Sequence, residues 1–328
     1  MAKLVLGIGT SHTPMLNARA EDWPRFAERD SARPHLDKDG RDTTYQQLIA
    51  AASPQVARYL TPQQMAESHG AAARCMADIT ALLQSSRLDA LIVVGDDQKE
   101  LYFEHNLPSV LIYYGETIRN APRGASHQGN DWYRPIAARY YEEGAPRDFP
   151  VNSRLARHLI EQLIDGDFDI ATANTLPDGM GEGHAFGFVH KRLMNGLAVP
   201  IVPVFLNTYY PPNQPTPRRC YRLGQAIRRA VESFPGEARV GIIASGGLSH
   251  FTVDEDLDGA VVKALREKDA ESLQSLPRNK LNSGSSEIRN WICVAGAVEA
   301  LDLDWVVYRP GYRSPAGTGT GLCFAAWR

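Results

Sequence analysis

The chain has 328 residues, 43% hydrophobic residues and a formal net charge of −3, a composition ordinary for a globular protein. This net charge does not indicate a basic surface for nucleic acid, and no run of like charges indicates binding to an anionic membrane surface. No apolar run approaches the ~20 residues of a membrane span, and the first residues lack a signal-peptide pattern, so we expect a cytoplasmic protein. Four scattered cysteines without CxxC spacing favour neither a zinc ribbon nor a disulfide framework.

The first predicted element is a strand within the stretch KLVLGIGTSHTP at 3–14. Its apolar run, with β-branched members and bounding glycines, is typical of a strand buried on both faces. The run stops, and His12 follows. A histidine just beyond the C-terminal end of a parallel strand lies where open α/β sheets place their ligand sites. His12 is therefore a candidate site residue, and the alternative is a role in the turn before Pro14.

The next region is polar, aromatic and dotted with prolines, from Asn17 to about Pro62. It has only short helical patterns, around Trp23–Arg29 and Tyr45–Ala52. Long irregular stretches in compact domains are often functional lids. We therefore predict an inserted, lid-like region at about 17–60, over the C-terminal edge of the sheet.

Beyond this region, predicted helices and strands alternate. Helices are predicted at about 61–84, 152–163, from about 185, and at 218–234, 254–271 and 287–301, and strands at 89–94, 109–113, 169–173, 199–206, 238–244, 305–308 and 321–326. Pro200 and Pro203 favour an edge position or a strand start for the 199–206 strand. The alternation predicts an α/β fold, a single domain over 1–328 with a largely parallel central sheet flanked by helices on both faces.

Histidine, amide or carboxylate groups follow four of the predicted strands: His12, the run DDQ at 96–98, His184 and His250. In a parallel sheet these ends lie on one edge. Imidazoles and a carboxylate meeting there indicate either an acid/base pair or a mononuclear metal site, and two histidines with one carboxylate are the non-haem Fe(II) pattern. The strongest single signal is ASGGLSHF at 244–251, where two glycines let the backbone approach a ligand closely, although a plain tight turn is the alternative. Neither a nucleophile elbow nor a dinucleotide fingerprint fits.

Six motifs occur in the order found in one known family: SHTP at 11–14, DALIVVGDDQ at 89–98, GHAFGFVHKRL at 183–193, NTYYPPNQPTPRRCYRLGQAI from 207, ASGGLSHF at 244–251 and SEIRNW at 286–291. Together they resemble the catalytic subunit of the class III extradiol ring-cleaving dioxygenases, of the protocatechuate 4,5-dioxygenase β-subunit type. The stretch YRPGYRSPAGTGTG at 308–321 is similar to the 3-O-methylgallate dioxygenase branch. The likeness covers 3–328 apart from 17–60.

The resemblance implies a single α/β domain, often a homodimer, that holds one Fe(II) by two histidines and one glutamate. His12 matches the first iron histidine and Glu287 the iron glutamate. His250 matches the histidine that acts as acid and base beside bound oxygen, and His184 matches a histidine that contacts the substrate.

The chain departs from the family at the second iron histidine. That histidine normally ends an Asn-Asp-His motif, and the corresponding residue here is Gln98. An amide oxygen is a weaker Fe(II) ligand than imidazole. Several outcomes follow: Gln98 is a ligand, Asp97 replaces it, His69 or His35 supplies the third position, or no iron binds.

The function implied by the resemblance is extradiol cleavage of a catechol, gallate-like or related hydroxylated ring, with Fe(II) as cofactor and O2 as co-substrate. The expected partners are a small aromatic substrate and a second copy of the chain. The lid at 17–60 and the aromatic stretch at 130–150 are expected to close over the ring. The alternatives are a metal-dependent hydrolase and a non-catalytic relative that has lost its metal.

Overall fold

A central sheet of eight strands runs through the computed structural model, which describes residues 1–123 and 132–328. The strands of the described residues are, in chain order, β1 (Lys3–Thr10), β2 (His35–Leu36), β3 (Asp42–Thr43), β4 (Ala90–Asp96), β5 (Val110–Tyr113), β6 (Thr117–Asn120), β7 (Arg147–Pro150), β8 (Ala171–Ala173), β9 (Ile201–Leu206), β10 (Arg239–Ser245), β11 (Leu303–Tyr312) and β12 (Gly319–Trp327). The central sheet has the order β11-β12-β1-β10-β4-β9-β5-β8. Two short hairpins, β2 with β3 and β6 with β7, lie outside it.

Four interior strands are parallel and therefore end at one edge of the sheet. β1 pairs with β10, β10 with β4, and β4 with β9, all in parallel. Toward the two edges of the central sheet the direction changes: β12 pairs antiparallel with both β1 and β11, and β5 pairs antiparallel with β9. The predicted α/β fold with a largely parallel central sheet is confirmed, and it brings the residues after β1, β4, β9 and β10 to the same edge.

Helices cover both faces of the sheet. The α-helices of the described residues are α1 (Phe26–Ser31), α2 (Tyr45–Ala51), α3 (Val56–Tyr59), α4 (Pro62–Ser85), α5 (Arg134–Ala138), α6 (Ser153–Asp165), α7 (His184–Phe188), α8 (Pro217–Ser233), α9 (Glu255–Glu267), α10 (Ala270–Gln274) and α11 (Ile288–Ala297). One hydrophobic cluster joins α6, α8 and α11 to the sheet, and another joins α4 and α7 to its other face. Each fully buried aliphatic side chain contributes about 1.5–3 kcal/mol to this packing. None of the helices described here is both long and apolar enough to cross a membrane.

α4 illustrates how the sequence sets an element. Thr61 caps its N-terminus by accepting from the Gln64 backbone N–H, and Pro62 stands in the first turn, where its missing N–H costs nothing. The apolar side of this helix is buried, with Met65, Ile79 and Leu83 among its members. The helix predicted at about 61–84 is therefore confirmed.

The position of the strand at 199–206 corrects the prediction. β9 is not an edge strand, because it lies between β4 and β5. However, β5 pairs only with Val204–Leu206 of β9. Pro203 therefore lies at a point where the side of β9 that faces β5 has no partner residue in β5. A residue without a backbone N–H is accommodated at such a point.

The region at 17–60 is folded rather than irregular. It contains a 3-10 helix (Ala20–Arg25), the helices α1 to α3 and the β2–β3 hairpin. A buried ion pair joins it to the opposite end of the chain, because Arg313 Nε and Nη2 donate to the two Asp30 carboxylate oxygens at 2.7 Å each. That this region moves as a lid stays a prediction. Residues 130 and 131 of the predicted aromatic cover lie outside the described residues.

Candidate metal and catalytic centre

The C-terminal ends of the parallel strands bring a group of polar side chains together. His12 follows β1, Asp96 ends β4, and one ligand atom from each lies within 4.8 Å of ligand atoms of His184 and Glu287. The last two residues come from the starts of α7 and α11, which face the same edge. His250, beyond β10, joins the group through Glu287. Topology thus assembles residues that are far apart in the chain.

Ser245 holds His12 in one tautomer. The Ser245 hydroxyl donates its proton to the Ala185 carbonyl oxygen at 2.7 Å, so its oxygen accepts from His12 Nδ1 at 3.0 Å. Burial lowers the pKa of His12 against the opposing effect of Glu287, which favours a neutral ring with its proton on Nδ1. The lone pair of Nε2 then faces Glu287 Oε2 at 3.3 Å. Two acceptors at this distance repel each other unless a cation lies between them.

Glu287 is the centre of the cluster. Its Oε2 accepts from the Gly247 backbone N–H at 2.8 Å, and its Oε1 accepts from the Tyr209 hydroxyl at 3.0 Å. Burial alone would raise the pKa of this carboxyl group, but His250 and His12 hold it well below its ordinary value. A Cβ atom at residue 247 would lie 2.8 Å from Thr320 Cγ2, so the close backbone approach to Glu287 requires glycine there.

His250 is held with one nitrogen toward Glu287. Its Nδ1 donates to the Leu248 carbonyl oxygen at 2.7 Å, and its Nε2 lies 3.2 Å from Glu287 Oε1. Burial lowers the pKa of His250, yet the adjacent Glu287 carboxylate outweighs burial and leaves the pKa above its ordinary value. Nε2 is therefore the nitrogen that is available to gain or lose a proton.

His184 is paired with Glu100 and remains a cation near neutral pH. Glu100 Oε2 accepts from His184 Nδ1 at 2.7 Å and from its backbone N–H at 3.0 Å. Burial opposes the charged ring, but the pairing with Glu100 raises the pKa of His184 to about 9. The His184 ring stands edge-on to that of His12, with centroids 4.6 Å apart.

Asp96 is a buried carboxylate whose oxygens are poorly satisfied. Its Oδ1 has no hydrogen-bond partner among the described residues, and its Oδ2 accepts only a long 3.4 Å bond from Gln98 Nε2. Burial and the nearby Glu287 charge raise the pKa of Asp96 to about 8. A second carboxylate beside Glu287, with an unpaired buried oxygen, is stabilised by a bound cation.

Gln98 lies within this cluster. Its Nε2 is 3.1 Å from the Tyr209 hydroxyl, 3.2 Å from Glu287 Oε1 and 3.4 Å from both His184 Nε2 and Asp96 Oδ2. An amide nitrogen has two protons, so it cannot satisfy four neighbours. Three of these neighbours, Tyr209, Glu287 and Asp96, offer an acceptor oxygen, so the amide occupies a space where a cation would also be bound.

The other three candidates for the third ligand lie elsewhere. Asp97 caps the following turn, because its carboxylate accepts from the backbone N–H groups of residues 100, 101 and 102. His69 packs edge-on against Trp23 and borders a different cavity. His35 Nε2 donates to the Asp30 carbonyl oxygen at 2.6 Å. None of these three belongs to the group of ligand atoms within 4.8 Å.

Sequence reasoning missed three residues of the cluster. Ser245 lies in the stretch ASGGLSHF at 244–251, but the pattern of that stretch assigns it no role. Tyr209 stood in the quoted stretch from 207 without a role, and Glu100 lay two residues beyond the last motif residue of β4. Each acts by hydrogen bonding across the fold, to His12, Glu287 and His184 respectively, and no local pattern reports such contacts.

The cluster opens on a cavity of about 460 Å³. Its volume is that of a small-molecule site. His12, His184, His250 and Glu287 line one part of it, and aromatic side chains, among them Phe26, Tyr133, Tyr140 and Phe251, line another. Imidazole and carboxylate groups form a donor set that suits divalent iron and manganese. Fold and site together define an α/β protein with a candidate mononuclear metal site at the base of a cavity that accommodates a single aromatic ring.

The chain belongs to the family described as the catalytic LigB subunit of aromatic ring-opening dioxygenase, whose model matches residues 125–308, more than half of the chain. This confirms the family expected from the sequence motifs. No branch of the family is singled out by this match.

Curated relatives agree with this assignment. The chain is 38% identical over 115 residues to a gallate dioxygenase of Pseudomonas putida, which is 33% of this chain and 32% of that protein. It is 34% identical over 111 residues to a 2,3-dihydroxyphenylpropionate/2,3-dihydroxicinnamic acid 1,2-dioxygenase of Cupriavidus necator, 34% of each chain. A protein of the same name from Rhodococcus is 27% identical over 202 residues, 53% of this chain and 61% of the relative. The chain thus spans about a third of the first two relatives.

Proposed function

We propose that this chain is an extradiol ring-cleaving dioxygenase that uses Fe(II) and O2 to open a hydroxylated aromatic ring. The family and the named relatives support the reaction class. The single observation that carries the metal dependence is the contact between His12 Nε2 and Glu287 Oε2 at 3.3 Å. Ser245 fixes the His12 tautomer so that two acceptors face each other, and ligand atoms of one ion with bonds of ~2.1 Å stand about 3 Å apart in the same way.

His12 and Glu287 would hold the ion, and the third protein position would come from the end of β4. The family motif puts Gln98 at that position, and its amide borders the cluster. Asp96 offers a carboxyl oxygen that has no other partner among the described residues and that a bound cation would deprotonate. A carboxylate binds a dication more strongly than a neutral amide, so we assign the third position to Asp96, with Gln98 bordering it. When bound, the ion supplies Lewis acidity toward two ring hydroxyl groups and redox chemistry toward dioxygen.

His250 would move the proton. Its Nδ1–H is committed to the Leu248 carbonyl oxygen, so Nε2 is the atom that accepts a proton from a ring hydroxyl group and returns it later. The contact with Glu287 raises the pKa of His250 and so favours the protonated ring. A bound dication would withdraw charge from Glu287 and would lower this pKa toward the working range of a general base.

His184 would bind the substrate. Glu100 accepts its Nδ1–H and keeps the ring charged, which leaves the Nε2–H to donate to a ring oxygen. An imidazolium donor stabilises an oxygen that loses its proton. Tyr140 and Phe251 form apolar walls of the cavity and limit the access of water to this charge. The region at 17–60 supplies Phe26 to the same wall, in agreement with the proposed lid.

An oxygen-consumption assay tests the proposal. Protein reconstituted with Fe(II) is given gallate, 3,4-dihydroxybenzoate, 2,3-dihydroxyphenylpropionate or catechol, and oxygen uptake is compared with the appearance of ring-opened product. We expect one O2 per ring, loss of activity with a chelator, and recovery with Fe(II). His158→Ala is the matched control, because His158 contacts Ala230 and Ser233 away from the cluster.

The same assay separates the alternatives. Protein with one bound ion and no oxygen uptake on any of the four diols would contradict the dioxygenase. Turnover of an ester or amide under argon would favour a metal-dependent hydrolase, and protein that binds no metal at micromolar Fe(II) would favour a non-catalytic relative. The expected homodimer and cytoplasmic location are proposals of the same kind, and light scattering of the purified chain tests the first.

A further inference from the structure

The cavity beside the candidate centre carries uncompensated positive charge. Three arginines line it: Arg29, Arg33 and Arg313. Arg313 is neutralised, since its guanidinium group makes a two-pronged ion pair with Asp30 at 2.7 Å per contact. The other two have no ion pair with a carboxylate among the described residues. The net charge of this wall is therefore positive.

The remaining acidic groups of the cavity are already engaged. Glu100 pairs with His184 at 2.7 Å and with Arg123 at 2.6 Å. Glu287 belongs to the candidate metal centre. No carboxylate of the described lining is left to balance Arg29, so this group has no anionic partner among the described residues.

Arg29 is oriented by an aromatic side chain. Its guanidinium carbon lies 3.3 Å from the centre of the Tyr133 ring, and this stacking restrains the plane of the group. Nη1 is buried and has no hydrogen-bond partner among the described residues. Burial lowers the pKa of Arg29. The neighbouring Arg33 and Arg313 lower this pKa further, whereas a charge interaction and a hydrogen bond with Tyr133 raise it. The group is therefore held in place by Tyr133, and its Nη1 has no acceptor among the described residues.

We propose that Arg29, assisted by the exposed Arg33, forms a subsite that receives an anionic substituent of the ring substrate. This inference rests on the proposed function. The edge of a planar guanidinium group donates two parallel hydrogen bonds to a carboxylate. It forms no hydrogen bond with a ring position that carries only a hydrogen atom or a methyl group. The substrate class is therefore a ring with vicinal hydroxyl groups at the metal end and a carboxylate at the arginine end. A neutral catechol lacks the second contact.

Matched ligand pairs test the subsite without turnover. Gallate and pyrogallol differ by one carboxylate, as do 3,4-dihydroxybenzoate and catechol. Calorimetry under argon gives their dissociation constants for Fe(II)-loaded wild type, Arg29→Met and Arg29→Lys. A charge-assisted hydrogen bond is worth a factor of roughly 10 to 100 in affinity. We expect Arg29→Met to weaken gallate binding by about that factor relative to pyrogallol binding. Arg29→Lys should recover part of the lost affinity, since lysine keeps the positive charge but lacks the planar group that donates two parallel hydrogen bonds.

Arg25→Met is the control. Arg25 lies one helical turn earlier, stacks 4.7 Å from the Trp132 ring and pairs with Asp22, but does not line the cavity. Its substitution should leave the gallate-to-pyrogallol ratio unchanged. An unchanged ratio in Arg29→Met, or wild type that binds pyrogallol as tightly as gallate, would overturn the subsite. The binding measurements do not depend on whether oxygen is consumed. If the wild type binds gallate more tightly than pyrogallol but opens no ring, only the proposed function is contradicted.

Discussion

Substitution of Gln98 by histidine probes the end of β4, where this chain departs from its family. In the structure Gln98 Nε2 lies 3.1–3.4 Å from four polar atoms, of Tyr209, Glu287, His184 and Asp96. It lies among the atoms that would surround a cation. An imidazole at this position would replace a neutral amide with a stronger nitrogen ligand. We expect Gln98→His to bind Fe(II) at least tenfold more tightly, which corresponds to about 1.4 kcal/mol.

Asp96 is the second residue to be substituted in this experiment. Its Oδ1 has no partner among the described residues, and its substitution by asparagine keeps the volume but removes the charge. If Asp96 is a ligand, Asp96→Asn should weaken Fe(II) binding by more than the ~10–100-fold that is typical for residues that only support a ligand. Anaerobic titration of Fe(II) into the metal-free wild type, the two single variants and the double variant gives the four affinities.

The pattern of the four affinities decides between the residues. A large loss in Asp96→Asn that Gln98→His repairs in the double variant would show that both positions reach the ion. Asp97→Asn is the control, because this neighbouring carboxylate caps backbone N–H groups and should change folding stability but not Fe(II) affinity. If neither Asp96→Asn nor Gln98→His changes the affinity, the end of β4 does not contact the ion and our assignment of the third position is wrong.

Three further variants test the remaining roles. His12→Ala should abolish metal retention and turnover together, and a purified variant that still carries one iron per chain would contradict its role as a ligand. His250→Ala should keep its metal, measured by elemental analysis, while kcat falls by ~10²–10⁴; an unchanged kcat would exclude the proton-transfer role. Glu100→Gln should lower the pKa of His184 from about 9, since burial is then opposed by the Asp96 and Glu287 carboxylates but no longer by Glu100. Because folding raises the pKa of His184, the stability that the pair contributes is lost as pH rises through about 9, and because folding lowers the pKa of Glu100, it is also lost as pH falls below about 4.5. Denaturant unfolding of wild type and variant should therefore differ most between about pH 4.5 and 6.5, and NMR titration that finds the same pKa in both would refute the pairing.

The sheet and the convergence of the strand ends could be predicted because they depend on local patterns and a general topological rule. The apolar run before His12 and the cap at Thr61 are signals of this kind. The parallel arrangement then requires the residues after β1, β4 and β10 to meet. The position of β9 could not be predicted in this way, because Pro203 is compatible with an interior strand only where β5 stops pairing.

The details of the centre depend on distances that no sequence pattern contains. Asp96 and Asp97 are adjacent and identical in type, yet one is turned into the cluster and the other caps a turn. The tautomer of His12 is set by Ser245, 233 residues away in the chain. Likewise, His69 and His35 were candidates because of their residue type alone, and their contacts with Trp23 and Asp30 engage them elsewhere.

From the pairing of β1 with β12 we expect assembly of the centre to be a late event in folding. Ser11, next to His12, accepts through its hydroxyl oxygen from the Cys323 backbone N–H, a contact that spans 312 residues. Closing so long a loop is slow, because its entropy must be lost before the contact stabilises anything. Residues 319–327 must therefore be available before β1 is flanked on both sides. A chain cut before this segment should keep much of its helix content yet fail to position His12, so iron binding would report complete folding more sensitively than circular dichroism does.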